Sequence, residues 1–258
     1  MTAIVRWRWL DSPDAPGAEQ MATDEGLMAR ARETGEATLR VYGWARPTLS
    51  FGRHESVRER FDAADLARRG YDAVRRPTGG RVLLHEGDVT YSVTAPANDA
   101  EPLRAAFGRI NALLAAAIAR LGVRTEPAVA PARERRPGRD ACFAAPSAGE
   151  LVVGGRKLVA SAQLRADGAL LQHGSILLAD RQATLATLSR VPMPPPAPAA
   201  TLASALGRTV RPEDVREALR DALVAQVGGA EPLTVEEAAR YARPHAARFA
   251  DPRWTWQR

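Results

Sequence analysis

Two spacings of apolar residues divide most of the chain into alternating strands and helices. Apolar and polar residues alternate with a period of two, which is typical of strands, over residues 5–9, 38–42, 47–51, 71–76 and 89–94. Apolar residues return at the helical period over residues 17–33, 57–69 and 103–121. This alternation of strands and helices predicts an α/β domain.

A glycine pair, Gly154 and Gly155, separates two apolar alternations and predicts a β-hairpin from residues 150–153 to residues 157–164. Residues 169–178 are predicted to form one or two further strands. Five prolines over residues 192–200 then end this pattern, and helical periodicity resumes at residues 212–227 and 235–248. We therefore predict an α/β domain over residues 1–190, a Pro-rich linker over residues 191–200 and a helical C-terminal extension over residues 201–258.

The composition bounds the class of protein. The 258 residues are 45% apolar, which is enough to bury one sizeable core. A single cysteine excludes an intrachain disulfide and fits a reducing compartment. The N-terminal residues alternate instead of forming an apolar run, and the most apolar helical stretch, residues 113–119, is too short to cross a bilayer. We expect a soluble, cytoplasmic protein with no membrane partner.

The chain is basic, with a formal net charge of +6. A basic surface attracts acidic partners such as nucleic acid, a nucleotide or an acidic carrier protein. On charge alone, the basic run at residues 133–139 is more simply explained as an ordinary solvated loop. No zinc-ligand spacing or nucleic-acid-binding module is visible in the sequence. We therefore predict no metal site and no nucleic-acid partner. The local basic run consists of Arg133, Arg135, Arg136 and Arg139.

Lysine occurs once, at Lys157, among 36 lysine and arginine residues. Arginine is a planar, permanently charged fork, whereas lysine is a slim point charge whose proton can be lost on burial. Cys142, the only cysteine, lies fifteen residues upstream. Alone, Lys157 could be a leftover of codon usage on a turn, and Cys142 a small buried apolar residue. Their proximity in one short stretch indicates chemistry.

Polar groups accompany this pair. The glycine pair at residues 79–80 follows a predicted strand, and adjacent glycines let backbone N–H groups approach an oxyanion, a carboxylate or a phosphate. Cys142 follows the arginine-rich stretch, so we expect a lowered pKa and a nucleophilic thiolate. On one alternating strand, Lys157, Ser161 and Gln163 would share a face and line a site.

Five motifs follow one another in a fixed order along the chain: Arg75-Arg76-x-Thr-Gly-Gly, His85, Thr90-Tyr91-Ser92, Gly-x-Lys157-x-x-x-Ser-Ala-Gln and His173-Gly-Ser. Their order and spacing resemble the lipoate/octanoate protein ligase and transferase superfamily from about residue 7 to residue 178. The resemblance implies a twisted mixed β-sheet flanked by helices, related to biotin-ligase catalytic domains, so residues 1–190 would be the catalytic domain.

Within that superfamily, three features resemble the cysteine-dependent octanoyltransferases. They are Arg81, where lipoate ligases usually carry a third glycine, and the stretches 142–147 and 171–175. The resemblance implies transfer of an octanoyl group from acyl carrier protein to a lysine of a lipoyl-domain protein, such as the glycine-cleavage H protein. It implies a Cys142 thioester intermediate and a Lys157 ammonium beside the acyl carbonyl. It implies no ATP and no cofactor, and we expect a monomer.

The resemblance makes Cys142 and Lys157 the catalytic residues. His85 and His173 are expected to line the site without accepting the proton of the reaction, because a histidine on a strand edge more often serves as a structural hydrogen-bonding group. One departure is Ala160, where the family usually has glycine, so a methyl group could narrow the acyl tunnel. The substrate-binding residues implied are Arg75, Thr78, Gly79, Gly80, Arg81, His85, Ser161, Ala162, Gln163, His173 and Gly174.

Three alternative functions fit parts of the pattern. An ATP-dependent lipoate–protein ligase would use Lys157 on an acyl phosphate and would not need Cys142. An amidotransferase would move octanoyl or lipoyl groups between two lipoyl-domain proteins through the same cysteine. A non-catalytic module would keep the fold and bind an acyl chain or a partner without turnover.

Overall fold

The computed structural model of the chain describes residues 5–98, 100–129 and 141–258. The basic run at Arg133, Arg135, Arg136 and Arg139 lies outside the described residues. Its role in attracting an acidic partner therefore stays a prediction.

The described strands form three sheets. The main sheet has six strands in the order β10-β11-β6-β2-β1-β12 and mixes parallel and antiparallel pairs. A three-stranded sheet has the order β4-β3-β5, and another has the order β7-β8-β9. The strands are β1 Trp7–Asp11, β2 Ala37–Tyr42, β3 Thr48–Phe51, β4 Asp72–Arg75, β5 Leu83–His85, β6 Asp88–Pro96, β7 Glu126–Pro127, β8 Leu151–Val153, β9 Arg156–Lys157, β10 Val159–Ala166, β11 Ala169–Leu177 and β12 Glu231–Pro232.

Helices cover the main sheet, as the resemblance implies, so the predicted fold class is confirmed. A single 3₁₀ turn, Cys142–Ala144, begins at the cysteine. The α-helices are α1 Gly17–Thr34, α2 Ala63–Arg68, α3 Leu103–Arg120, α4 Thr184–Leu188, α5 Leu202–Leu206, α6 Pro212–Val227, α7 Val235–Ala250 and α8 Pro252–Thr255.

The two faces of the main sheet bury different kinds of side chain, apolar on one face and polar on the other. Residues of β2 alternate, so Leu39 and Val41 enter one large apolar core together with the inner faces of α3 and α6. Arg40 and Tyr42 point to the other face, where both hydrogen-bond to Asp24 of α1. The helix α1 therefore buries polar side chains against the sheet, and this face carries the network described below.

The predicted hairpin strand at residues 157–164 is interrupted at Leu158. Its first part, β9, pairs with β8, whereas its second part, β10, pairs with β11 of the main sheet. Leu158 itself is buried in the apolar core and donates its backbone N–H to Leu151. The predicted single polar face of Lys157, Ser161 and Gln163 is therefore wrong, because Lys157 belongs to a different sheet.

The predicted helix at residues 57–69 forms only over Ala63–Arg68. Asp62 caps its N-terminus by accepting a hydrogen bond from the backbone of Asp65, which fixes the start of the helix. The residues before it turn instead, and the backbone N–H groups of Val57 and Arg58 bond to the carbonyl of Arg258. A contact with the far end of the chain thus replaces the first two helical turns.

Residues beyond the prolines share the core of the residues before them. Helix α6 contributes Leu219 and Leu223 to the main apolar core, and β12 pairs with β1 in parallel. Helix α7 lies on α1 at Gly26, where a Cβ would come within 2.5 Å of the Tyr241 backbone. The packing is therefore continuous across residues 191–200, and the division of the chain there stays a prediction.

Candidate active site

A mostly apolar pocket lies beside Cys142 and is partly open to solvent. Its walls come from the main sheet, from the small β4-β3-β5 sheet and from the turn that begins at the cysteine. Seven of the predicted site residues line it: Gly80, His85, Cys142, Ser161, Ala162, His173 and Gly174. The other lining residues are Met21, Tyr42, Trp44, Arg76, Leu83, Thr90 and Ala160.

Cys142 is held by its backbone and keeps part of its surface open to this pocket. Its N–H donates to the carbonyl of Val82 at 2.9 Å. Burial of the thiol raises its pKa, and the Glu150 carboxylate raises it further, while Lys157 and Arg76 act in the opposite direction. The predicted lowering of the Cys142 pKa is therefore wrong for the free protein, because the loss of solvation on burial outweighs the two cations.

Lys157 approaches Cys142 from β9, and its side chain is only 2% exposed. Its Nζ donates to the carbonyl oxygen of Cys142 at 2.6 Å and lies 2.7 Å from Oε2 of Glu150. The same Nζ lies 5.7 Å from the centre of the Phe143 ring. The structure thus brings the two predicted catalytic residues together, and it adds a carboxylate, Glu150, that the sequence reasoning missed.

His173 belongs to a buried chain of polar groups centred on Asp24. Nδ1 of His173 lies 2.9 Å from Asp24, and its Nε2 lies 2.7 Å from the hydroxyl of Thr78. Burial alone would raise the pKa of Asp24, but its bonds to His173, Arg40 and Ser92 hold that pKa below its usual value. The carboxylate can only accept, so Nδ1 carries the proton and, in the neutral ring, Nε2 accepts from Thr78.

His85 lies in a second chain of similar design. Its Nδ1 is 2.9 Å from Asp88, its Nε2 is 2.7 Å from the Ser50 hydroxyl, and its ring stacks on Trp44 at 3.9 Å. Burial lowers the pKa of His85 despite the neighbouring Asp88 carboxylate. Both ring nitrogens are engaged, as in His173. Neither histidine is arranged as an unoccupied base.

Arg76 holds the Gly79-Gly80 turn in place through hydrogen bonds to its backbone carbonyls. This guanidinium donates to the carbonyls of Gly79 at 3.2 Å and Arg81 at 3.0 Å, and also to the Ser50 carbonyl. Gly80 has φ +101°, a conformation that favours glycine. Its carbonyl packs on Gly52, where a Cβ would come within 1.9 Å of the Gly80 oxygen. Thr78, Gly79 and Arg81 thus shape the turn, while Gly80 reaches the pocket.

Arg75 was predicted to bind substrate, but it points away from the pocket. Its neighbour Arg76 lines the pocket instead. The two residues sit at the end of β4, where neighbouring side chains project to opposite faces. Arg75 is fully buried and donates to the carbonyls of Gly52 at 2.6 Å, Glu55 at 2.8 Å and Thr255 at 3.0 Å. Arg75 therefore anchors the C-terminal helix α8 to the loop after β3.

Replacing Arg75 with alanine is expected to lower the free energy of unfolding by about 2–4 kcal/mol, because several buried carbonyls lose their donor. Thermal unfolding followed by circular dichroism measures the change. Arg68→Ala is the matched control, since the Arg68 side chain is 70% exposed and pairs only with a surface aspartate. The control is expected to change stability by less than about 1 kcal/mol. Equal effects of the two variants would contradict the anchoring role.

Gln163 lies outside the pocket lining, on the side of β10 that faces α3. Its side-chain amide lies 2.8 Å from that of Gln172, which donates to the Tyr91 hydroxyl at 2.9 Å. Tyr91 in turn lies 2.7 Å from the Ser161 hydroxyl in the pocket wall. Gln163 can therefore act on the pocket only through this chain of hydrogen bonds to Ser161.

Two residues that sequence reasoning missed carry much of the site. Asp24 is separated from His173 by 149 residues, so only the folded chain shows their pairing. Glu150 had a local signal, because Ser147-Ala-Gly-Glu150 closes as a turn with Gly149 at φ +84°.

Among the described residues, no cluster of three or more His, Cys, Asp and Glu is arranged to hold a metal ion. The described helices include none that is long and apolar enough to cross a membrane.

Comparison with known proteins extends this geometry. Residues 16–224 match the model of the lipoyl protein ligase A/B catalytic domain. The octanoyltransferase LipM of Symbiobacterium thermophilum is 42% identical over 234 residues, which cover 82% of this chain and 83% of that protein. The octanoyltransferase LipM of Kyrpidia tusciae is 38% identical over 277 residues, which cover 98% and 99% of the two chains.

Among solved structures, a bipartite lipoate protein ligase from Thermoplasma acidophilum, described with its E2 lipoyl domain, superposes with a TM-score of 0.77. That match covers 98% of this chain and 96% of the other at 20% identity, so it shows the shared fold alone. The matched family region crosses the proline-rich segment and ends within α6. The predicted superfamily and the prediction of a transferase are confirmed: the chain belongs to the lipoyl protein ligase A/B catalytic-domain family and is an enzyme of the transferase class.

Proposed function

We propose that this enzyme transfers an octanoyl group from acyl carrier protein to a lysine of a lipoyl-domain protein, through a thioester on Cys142. The observation that carries the proposal is the position of Cys142, which opens onto an apolar pocket while Lys157 binds its backbone carbonyl. Relatives named octanoyltransferase, 42% and 38% identical, support the same reaction.

The proposed reaction has two acyl transfers. Sulfur of Cys142 attacks the carbonyl carbon of the donor thioester, the carbon–sulfur bond to the carrier breaks, and the thiol proton leaves with the carrier thiolate. The amine of the acceptor lysine then attacks the enzyme thioester, an amide forms, and Cys142 leaves and regains a proton. Exchange between thioesters is nearly isoenergetic and amide formation runs downhill, so no ATP is required.

The apolar part of the pocket suits the octanoyl tail. Met21, Tyr42 and Trp44 belong to one apolar cluster of the fold, and Leu83, Ala160 and Cys142 belong to another. A tail attached to Cys142 would therefore extend from the second cluster toward the first.

The acyl carbonyl would lie near the Lys157 ammonium and the Gly80 turn. An ammonium held close to a carbon that becomes tetrahedral stabilises the negative charge on its oxygen. Arg76, which lines the pocket, adds a second positive charge and holds the turn in place. His85 and His173 would fix the pocket walls through Asp88 and Asp24.

A reconstituted reaction separates this proposal from its alternatives. Octanoyl-acyl carrier protein and a lipoyl-domain acceptor are incubated with the enzyme, and the acceptor is weighed by mass spectrometry. The proposal expects octanoylation without ATP. Modification only by free octanoate plus ATP would identify a ligase, and modification only from an octanoylated lipoyl-domain donor would identify an amidotransferase. Acyl binding without any transfer would identify a binding module.

Ala160 is expected to limit the acyl chains that the pocket accepts. Its methyl group lines the pocket in the same apolar cluster as Cys142. Ala160→Gly removes that methyl and is expected to raise the ratio of decanoyl to octanoyl transfer by at least about 5-fold, since one methylene is worth about 1–3 kcal/mol of discrimination. Competition between the two acyl carrier proteins measures the ratio. An unchanged ratio would place the length limit elsewhere in the pocket.

A further inference from the structure

Glu150 joins three segments of the candidate site. Its side chain is only 5% exposed. Oε2 accepts the backbone N–H of Ser147 at 2.6 Å and lies 2.7 Å from Nζ of Lys157, while Oε1 lies 3.4 Å from the N–H of Ser161. One carboxylate thus connects the segment after Cys142 with β9 and β10.

These contacts fix the Lys157 ammonium between two oxygens. The carboxylate of Glu150 holds it on one side and the carbonyl of Cys142 on the other. The backbone of Lys157 is also tied, because its carbonyl accepts the N–H of Ala200 at 3.0 Å. A buried ammonium that lost its carboxylate would be left with an uncompensated charge and a less defined position.

The ion pair between Lys157 and Glu150 also contributes to the electrostatic field at the Cys142 thiol. Beside Cys142 lie Lys157 from β9, Arg76 after β4, Glu55 after β3, and Glu150 before β8. His85 and His173 line the same pocket. Lys157 and Arg76 lower the pKa of the thiol, whereas burial, Glu150 and Glu55 raise it. Among these groups, Glu150 alone pairs directly with the Lys157 ammonium.

We propose that Glu150 is a positioning residue, which holds Lys157 against the Cys142 carbonyl and offsets its charge, so that the free enzyme keeps Cys142 as an unreactive thiol. This inference rests on the proposed function only for the acyl-transfer step. The state of the free thiol can be measured without any acyl donor.

The test compares Glu150→Gln with wild type by iodoacetamide alkylation of the single cysteine across pH. The amide keeps the size of the side chain and removes its charge, so this carboxylate no longer offsets the effect of Lys157 on the thiol. We expect the alkylation pKa to fall by about one unit, which is about tenfold faster alkylation at neutral pH. In the acyl-transfer assay we expect kcat to fall by about 10–100-fold, the range found for residues that orient a reacting group, with KM nearly unchanged.

Two variants serve as controls. Glu150→Asp keeps the charge and is expected to keep the wild-type alkylation profile. Glu59→Gln makes the same chemical change at an exposed position and is expected to alter neither measurement. A wild-type alkylation profile in Glu150→Gln would overturn the proposal, even if kcat falls, because loss of turnover alone would then reflect a structural role.

A second substitution covers the case in which Glu150→Gln does not fold. Lys157→Gln removes the ammonium that pairs with Glu150 and lowers the pKa of the thiol, so the alkylation pKa is expected to rise and alkylation to slow by about tenfold. An unchanged profile in this variant would also overturn the proposal. If the shifts occur but wild type transfers no octanoyl group, the positioning role stands and the proposed function fails.

Discussion

Replacing Cys142 with serine is expected to abolish octanoyl transfer, with a loss on the order of 10⁴-fold or more in kcat/KM. The serine hydroxyl is a far weaker nucleophile than a thiolate, and in the described residues both pocket histidines are already bonded through both ring nitrogens. Neither pocket histidine therefore has a free ring nitrogen to accept the proton of a serine hydroxyl. The initial rate of acceptor octanoylation, without ATP, measures the effect.

The same variant also decides between the proposal and the ligase alternative. A ligase activates its substrate with ATP, so Cys142→Ser would keep ATP-dependent modification. The fold of the variant is checked by its melting temperature, which is expected to change little because sulfur and oxygen differ modestly in size. Retained ATP-independent transfer by a folded Cys142→Ser protein would show that the cysteine is not the nucleophile.

Replacing Lys157 with arginine is expected to lower kcat by about 10²–10³-fold, as does removal of an oxyanion-binding donor in other enzymes. The site admits a slim ammonium between Glu150 and the Cys142 carbonyl, with both contacts under 3 Å. A planar guanidinium keeps the charge but spreads it over a wider fork, so it cannot make both contacts from the same point. Initial rates with saturating octanoyl-acyl carrier protein measure kcat.

The neighbouring residue provides a matched control. Arg156 lies on the same short strand β9, and its side chain is exposed. Arg156→Lys makes the reverse substitution one residue away and is expected to leave kcat within about twofold of wild type, as surface substitutions generally do. Near-wild-type turnover by a folded Lys157→Arg protein would contradict the inference that this lysine persists for its shape.

The longest elements could be predicted from the sequence, and so could the proximity of Cys142 and Lys157. Helix α3 matches its prediction within one residue and α6 matches at both ends, because their apolar residues repeat over several turns. The short strands β5, β7 and β12 could not be predicted, since two or three residues carry no period. Their pairing depends on neighbours that are distant in sequence.

Errors within the site have a common physical origin in tertiary contacts. Arg75 and Arg76 are equivalent in sequence, and only the direction of β4 sends one to the C-terminal helix and the other to the pocket. The pKa of Cys142 was expected to follow nearby arginines, but it depends first on burial and then on the opposing charges of Lys157 and Glu150. In α1, Asp24 resembles an ordinary exposed acid until the sheet brings Arg40 and His173 to it.

Intact-protein mass spectrometry of the enzyme after incubation with octanoyl-acyl carrier protein, in the absence of ATP, tests the acyl-enzyme route most directly. We predict one octanoyl adduct on wild type, removed by hydroxylamine and absent from Cys142→Ser, and its decay on addition of a lipoyl-domain acceptor. An unlabelled wild-type enzyme that still octanoylates its acceptor would contradict the thioester intermediate, as would an adduct that persists in Cys142→Ser.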